Sequence, residues 1–329
     1  VYAINHNGSN VANFPVQLNE KVLKGGAIYD IDNNGKDDIV VATENDKSIF
    51  IIYDSGVFEN IFSSNDKFKS APSVIDNNGN IIIIAGDEGG ILYGLTPSGN
   101  LEFNIITGDN IKGSAGFIDN NQITGIFFGS EDGNLYGIDL NGESLDNWPQ
   151  NVIGGISGNA TINSSPIFAD LDSDGQSEVI TASEEGQLII YNIDGTPYNN
   201  FPIQFDFGFI SSPTIIDIDN DNDLEIVVGT NQNLSVIDLK ESAIINDYDW
   251  NTYRGDNHRS GSFASENTAN IGDINNDTLI NVQDLVMLIN IIIGVSDPDS
   301  YQINASDLNF DNTLDVLDVV LLINTILDI

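Results

Sequence analysis

One stretch recurs along this chain at a nearly fixed interval, and that recurrence constrains the architecture before any single motif does. It reads YDIDNNGKDDIVVAT at 29–43, ADLDSDGQSEVITAS at 169–183 and IDIDNDNDLEIVVGT at 216–230. Two weaker copies lie between the first and second, SVIDNNGNIIIIAG at 73–86 and GFIDNNQITGIFFG at 116–129. The leading acids are Asp30, Asp76, Asp119, Asp170 and Asp217, at steps of about 46, 43, 51 and 47 residues. Each copy keeps one order: a small or apolar strand, an Asp-rich loop, a β-branched strand, a tight turn, a third strand and a more polar fourth. Short runs of Val, Ile and Tyr between Gly, Asn and Asp turns are strand and hairpin signals. One such sheet cannot bury both of its faces. Five in a row imply radial stacking, hence a mainly β chain and a β-propeller of four-stranded blades.

The first residues, VYAINHNGSNVANFP, repeat the second half of that unit. They match LYGIDLNGESLDNWP at 135–149 and IIYNIDGTPYNNFP at 189–202. VYAIN reads as a third strand and NVANFP as the start of a fourth, which gives five blades plus a half blade. The expectation is a C-terminal part of a longer polypeptide, truncated within a blade.

In three copies the loop reads D-x-D-x-[DN]-x-x-x-[DE]. The side chains are Asp30, Asp32, Asn34 and Asp38; Asp170, Asp172, Asp174 and Glu178; and Asp217, Asp219, Asp221 and Glu225. Alternating oxygen ligands around a tight turn, closed by a carboxylate, suit a hard cation such as calcium. Lys36, Gln176 and Asp223 are placed to offer backbone carbonyls. The copies at Asp76 and Asp119 lack the later acids and are expected to be metal-free. The alternative for any one loop is an Asx-turn with solvated carboxylates.

Charge supports the cation reading. The 329 residues hold 50 acids against 10 bases, a net charge of −40. Such a surface repels itself unless cations neutralise it, and it lacks the basic footprint that nucleic acid requires. There is no Cys, so disulfides and thiolate metal sites are excluded. The longest apolar runs are too short to span a bilayer.

These loops resemble the FG-GAP and VCBS-type repeats of extracellular bacterial propellers, related to integrin-type calcium blades. The resemblance covers residues 1–263 and includes the closing DWNTYRGDNHRSG at 249–261. It implies that Arg254, Asp256 and Arg259 are structural ties. The tripeptide RGD at 254–256 also matches an integrin-recognition motif, which three residues do not carry.

After a linker at 264–270 the pattern changes. GDINNDTLINVQDLVMLINIIIG at 272–294 and SDLNFDNTLDVLDVVLLINTILDI at 306–329 are each a loop running into an apolar helix. The ligand positions are Asp273, Asn275, Asp277, Asn281 and Asp284, then Asp307, Asn309, Asp311, Asp315 and Asp318, with backbone carbonyls from Leu279 and Thr313. This spacing is EF-hand-like. The pair, residues 271–329, resembles a type I dockerin: a small all-α module of two calcium loop–helix repeats. It departs from the cellulosomal pattern at Thr278 and Asn312, where Gly is usual. It departs again at Val282–Gln283 and Val316–Leu317, where a hydroxyl pair is usual. Calcium at about five sites follows for the whole chain. The helices are apolar nearly all round and need more than one partner. Leu285, Leu288, Ile292, Leu321 and Leu322 are the residues expected to seek a cohesin-like receptor, the propeller itself or another copy.

No nucleophile elbow, phosphate loop or zinc motif occurs, and His6 and His258 are far apart in sequence. Tyr53, Tyr93, Tyr136 and Tyr191 recur on or beside third strands and read as packing. No catalytic residue is assigned. The expectation is a secreted or cell-surface bacterial protein of saline surroundings, whose propeller presents a surface to a carbohydrate or protein ligand. Alternatives are the anchoring portion of a larger secreted hydrolase or lyase, and a subunit of a surface filament or layer.

Overall fold

The computed structural model describes residues 1–77, 79–119, 124–154, 158–219, 221, 223–242, 250–256, 258–265, 271–275, 279–296, 298, 300–308 and 313–327. The chain divides into two compact units. The first comprises Val1–Asp76 and Ile81–Phe263, the second Asn77–Asn80 and Ala264–Ile329.

The first unit is built of antiparallel sheets formed in sequence order. Sheet one holds Ala27–Tyr29, Asp38–Ala42, Ser48–Ile52 and Phe58–Ser63. Sheet two holds Ser73–Asn77, Asn80–Gly86, Ile91–Leu95 and Leu101–Ile106, with Ser262–Ser265 added beside its first strand. Sheet three holds Gly116–Asp119, Thr124–Gly129, Asn134–Ile138 and Gln150–Asn151. Sheet four holds Ile167–Ala169, Glu178–Ala182, Gln187–Tyr191 and Ile203–Gln204. Sheet five holds Thr214–Ile216, Asp223–Gly229 and Leu234–Ser242, three strands among the described residues. A two-stranded ribbon, Ile153–Gly154 with Gly158–Asn159, lies between sheets three and four in the chain.

Second and third strands such as EVITA and QLIIY are buried throughout, as expected of sheets covered on both faces. Neighbouring sheets interlock through aromatic rings. Phe127 meets Phe168 at 5.4 Å between centroids, and Trp148 meets Tyr191 at 5.9 Å. The fourth strands of sheets three and four are two residues long, shorter than the pattern suggested. Pro149 and Pro202 precede them and cannot donate to a ladder.

Residues 1–16 form the expected third-and-fourth-strand hairpin, without reaching full strand length. Ile4 bridges Asn10, Val11 N donates to the Ala3 carbonyl, and Val16 N to the Val1 carbonyl. The same register recurs at Ile138–Ser144 with Leu135–Gln150, and at Tyr191–Pro197 with Leu188–Ile203. The hairpin packs Phe14 and Val16 on Val41, Phe50 and Ile52 of sheet one.

One segment meets the first strand of every sheet. Phe168 N donates to the Trp250 carbonyl, Ile215 N to Asn251, Ile28 N to Ser260 and Val74 N to Gly261. The Trp250 ring stands edge-on to Phe117 of sheet three at 5.1 Å. Arg254, buried, donates from Nη2 to the Gly26 carbonyl at 2.6 Å and to Ser260, from Nη1 to Pro72, and from Nε to Arg259. Gly261 closes on it so tightly that a Cβ there would fall 1.8 Å from Nη2. Asp256 accepts from Ser260 N and Oγ. Arg254 therefore ties the closing segment to sheets one and two, as the sequence implied. Replacing it leaves buried carbonyls unpaired. Arg254→Met is expected to cost roughly 2–4 kcal/mol, read as a lower urea midpoint at unchanged slope.

A polar belt also joins sheets at the residues before their first strands. Lys69 Nζ reaches Glu44 of the preceding sheet at 3.0 Å and Glu88 of its own at 3.7 Å. Asn163 Nδ2 donates to Glu131 of the preceding sheet at 3.0 Å and to Glu184 of its own at 2.6 Å.

Among the described residues the second unit has three helices, Val282–Ile292, Ser300–Ser306 and Val316–Leu327. The middle one carries no apolar periodicity and was not foreseen; it supplies buried Ala305, whose carbonyl accepts from Gly272 N. The core is Ile274, Leu288, Ala305 and Leu322, with Leu285 and Ile292 partly buried against it. Of the five residues expected to seek an outside partner, only Leu321 is exposed. The exposed stripe is instead Val282, Val286, Ile289 and Ile293, with Val316, Val320 and Leu321 on the last helix. The sister helix and the short middle helix cover more of each helix than a two-helix packing would.

Candidate metal centres

In sheets one and four the acidic loop folds around its leading Asp. Asp30 accepts from Asn34 N at 3.0 Å and Gly35 N at 2.7 Å. Asp170 accepts from Asp174 N at 3.1 Å and Gly175 N at 2.9 Å. Gly35 and Gly175 turn the chain at φ +84° and +88°, in the left-handed region that glycine enters freely. The closing acid sits at the start of the second strand, beneath the loop. In all three loops it accepts the backbone N–H after the leading Asp: Asp38 from Ile31, Glu178 from Leu171, Glu225 from Ile218, at 3.1, 2.7 and 2.7 Å.

Three sets of carboxylates result, each with one oxygen per residue lying within 4.8 Å of the others. They are Asp30, Asp32 and Asp38; Asp170, Asp172 and Glu178; and Asp219, Asp221, Asp223 and Glu225. The third set differs from the sequence pattern. The Asp223 side chain joins it and Asp217 lies outside. Asp174 is likewise outside its set, accepting from Gln176 N at 2.8 Å. Asn34 turns its amide to Asp54, which Lys36 also pairs at 2.7 Å. Asp54 was not anticipated, because it comes from the turn after the third strand.

Electrostatics favour a cation at each set. Burial, then repulsion from Asp172, Asp170 and Asp174, pushes the Glu178 carboxyl up to about 8. Burial also raises Asp38. Sharing a hydrogen bond with Asp221, and then burial, lifts Asp223 to about 6. Asp223 Oδ1 is buried with no hydrogen-bond partner among the described residues. All donors are hard oxygens, and these acids are costly to ionise together without a bound positive charge. That donor set fits calcium.

The C-terminal loops use the same device. Asp284 is buried and accepts from Ile274 N, Asn275 N and Asn281 N at 2.8, 3.1 and 2.9 Å. Asp318, also buried, accepts from Leu308 N and Asp315 N, both at 2.9 Å. Asn281 caps its helix through Gln283 N, and its amide donates to the Leu279 carbonyl. Asp273 is buried beside this loop. Asp277, Asn309 and Asp311 lie outside the described residues, while Asp307 and Thr313 flank the second loop.

Residues 170–228 match the family model of the FG-GAP-like repeat, and residues 271–327 that of the dockerin type I domain. The chain thus carries an FG-GAP-like repeat and a C-terminal type I dockerin domain. No curated protein matches it. Among solved structures it is similar to BamB from Moraxella catarrhalis at 14% identity, covering 66% of this chain and 61% of that one, with a TM-score of 0.43. It is similar to BBS1N, solved in complex with ARL6DN, at 13% identity, 70% and 71% coverage and a TM-score of 0.46. The computationally designed Ika4 protein gives 14%, 54% and 94%, and 0.38. These likenesses are too distant to bear on function.

Proposed function

We propose that this chain is an extracellular binding and assembly protein: a calcium-stabilised β-propeller that presents a ligand surface, joined to a dockerin that attaches it to a protein receptor. The propeller reading rests on the convergence of five first strands on the segment at 250–261. The calcium reading rests on the carboxylate sets. The chain itself is assigned no catalytic role; its two His residues, His6 and His258, are both exposed. No helix among the described residues is long and apolar enough to cross a membrane.

The observation that carries the assembly role is the stripe Val282, Val286, Ile289 and Ile293. It stays exposed on the dockerin after the helices have filled their own core. Such a stripe marks a protein-binding surface. Calcium at the adjoining loops fixes the helix start at Asn281 and so the stripe's geometry. The test is calorimetric titration of the full chain against a panel of cohesin domains, with calcium and with chelator. A complex is expected in calcium and not in chelator, and Val286→Asp with Val320→Asp is expected to weaken it at least about ten-fold. No binding in calcium, with particle size rising with concentration, would replace the receptor by self-assembly.

A further inference from the structure

A cavity of about 440 Å³ lies at the end of the first strands opposite the acidic loops, a volume usual for small-molecule sites. Much of its wall comes from the residues just ahead of the first strands of sheets three, four and five and from the closing segment. Three of the chain's ten bases, Lys24, Lys112 and Arg259, stand in it, against one acid among the described residues, Glu184. The chain as a whole has 50 acids to 10 bases, so this wall inverts its balance.

Arg259 is the clearest case. Its backbone belongs to the closing segment, with N–H on the Asp256 carbonyl at 2.9 Å and carbonyl on Arg254 Nε at 3.3 Å. Its guanidinium is exposed and has no ion pair or hydrogen bond among the described residues, so this side chain is not one of the structural ties. Lys24 is exposed and also without an ion pair among the described residues, whereas Lys112 is held by Glu131 at 2.6 Å. Free cations in a chain with so large a surplus of acids suit an anion from outside.

The polar part of the wall is a repeated serine. Ser114, Ser165 and Ser212 each stand five residues ahead of the leading acid of their sheet, where sheets one and two have Gly25 and Ala71. Ser114 N donates to Ser165 Oγ at 2.9 Å and Ser165 N to Ser212 Oγ at 2.8 Å, so the serines run from sheet to sheet. Ser211 Oγ accepts from Gly229 N at 2.8 Å. The Ser211 and Ser212 oxygens thus accept, and neither O–H has an acceptor among the described residues. Each keeps a proton for a ligand oxygen. Glu184, exposed, takes Asn163 Nδ2 on one carboxylate oxygen at 2.6 Å and keeps the other as an acceptor. Ile210 adds an apolar surface, 69% exposed, at the position that Lys69, Lys112 and Asn163 hold before the earlier sheets.

We propose that this cavity binds an acidic saccharide, a glycan that carries uronic acid carboxylates. The inference rests on the reading of the first unit as a ligand-presenting propeller and names the class of ligand. The carboxylate takes Arg259 and Lys24. Ring hydroxyls accept from Ser211 and Ser212 and donate to Glu184, and the C–H face of the pyranose lies on Ile210. A bare anion would leave the serines, Glu184 and Ile210 without a role, and a neutral sugar would leave both free cations so.

The probe is tetragalacturonate, titrated calorimetrically into the full chain in calcium. Its methyl ester and a blocked Ala-Asp-Ala peptide are the comparisons. The acid is expected to bind with a Kd below about 1 mM, and the ester and peptide at least about ten-fold more weakly. Arg259→Gln is expected to weaken the acid at least about ten-fold and Ser211→Ala roughly two- to ten-fold. Lys24→Gln is expected to cost roughly two- to five-fold. Arg259 and Lys24 are exposed, so these variants keep the melting temperature of the parent chain. Equal binding of acid and ester, or an affinity that Arg259→Gln leaves unchanged, would overturn the acidic class and leave a ligand at the propeller. Peptide bound as tightly as the saccharide would overturn the saccharide. No binding of any probe, with the cohesin complex still formed in calcium, would overturn this inference alone and leave the assembly role standing.

Discussion

In excess chelator the first unit is expected to melt about 15 °C or more below its melting temperature in millimolar calcium. The estimate follows from the three carboxylate sets. A ligand held only by the native state adds about 2.7 kcal/mol per site at a hundred-fold excess over its Kd. A unit of this size moves about 2–4 °C per kcal/mol. Three independent sites give about 8 kcal/mol. The physical source is local: Asp38, Glu178 and Glu225 are buried against neighbouring carboxylates, and a divalent cation removes the repulsion between them. Differential scanning calorimetry in calcium and in chelator reads the shift. Asp170→Asn with Glu178→Gln is expected to remove about a third of it, because the other two sets are distant in sequence and independent.

The calcium-free chain is expected to lose stability as pH rises from about 5 to 8, on the order of 4 kcal/mol from Glu178 alone. Glu178 sets the window. Its carboxyl ionises near its ordinary value when unfolded and at about 8 when folded. Between those values the folded state holds a proton that the unfolded state has released, so raising pH favours unfolding. Asp38, Asp219 and Asp223 are raised too and act in the same direction. Calcium reverses the balance by holding the carboxylates ionised, so the calcium-loaded chain is expected to show a flat profile over this window. Glu178→Gln is expected to flatten the calcium-free profile while weakening that site. Urea unfolding at a series of pH values checks both; a calcium-free profile that rises toward pH 8 would contradict the assignment.

How far the sequence could be read depends on whether an interaction is local. The acidic loops were legible because the leading and closing acids lie within nine residues of one another, and the chain repeats them. The helix-capping Asn281 and buried Asp284 were legible for the same reason. Asp54 was not, since it reaches its loop from the turn after the third strand. Nor was the side-chain role of Asp223, which joins the set while Asp217 lies outside it; the strand pairing shifts register between Asp223 and Glu225, which no local pattern announces. The apolar dockerin helices showed that partners were needed without showing which side. The short helix Ser300–Ser306, with no periodic signal, helps cover the core and leaves Val282, Val286 and Ile289 outside. The exposure of Leu234 and Val236 in sheet five is invisible in sequence, because they look like the buried Leu188 and Ile190 of sheet four.

The central claim is that these loops are calcium sites in a binding and assembly protein. Its most direct test is calorimetric titration of calcium into the chelator-stripped full chain, repeated with Asp32→Asn, Glu178→Gln, Asp223→Asn and Asp284→Asn. The account predicts about five sites, three in the first unit and two in the dockerin, with each substitution weakening or removing one. Titration without a site tighter than about millimolar, or with the same count in every variant, would contradict it.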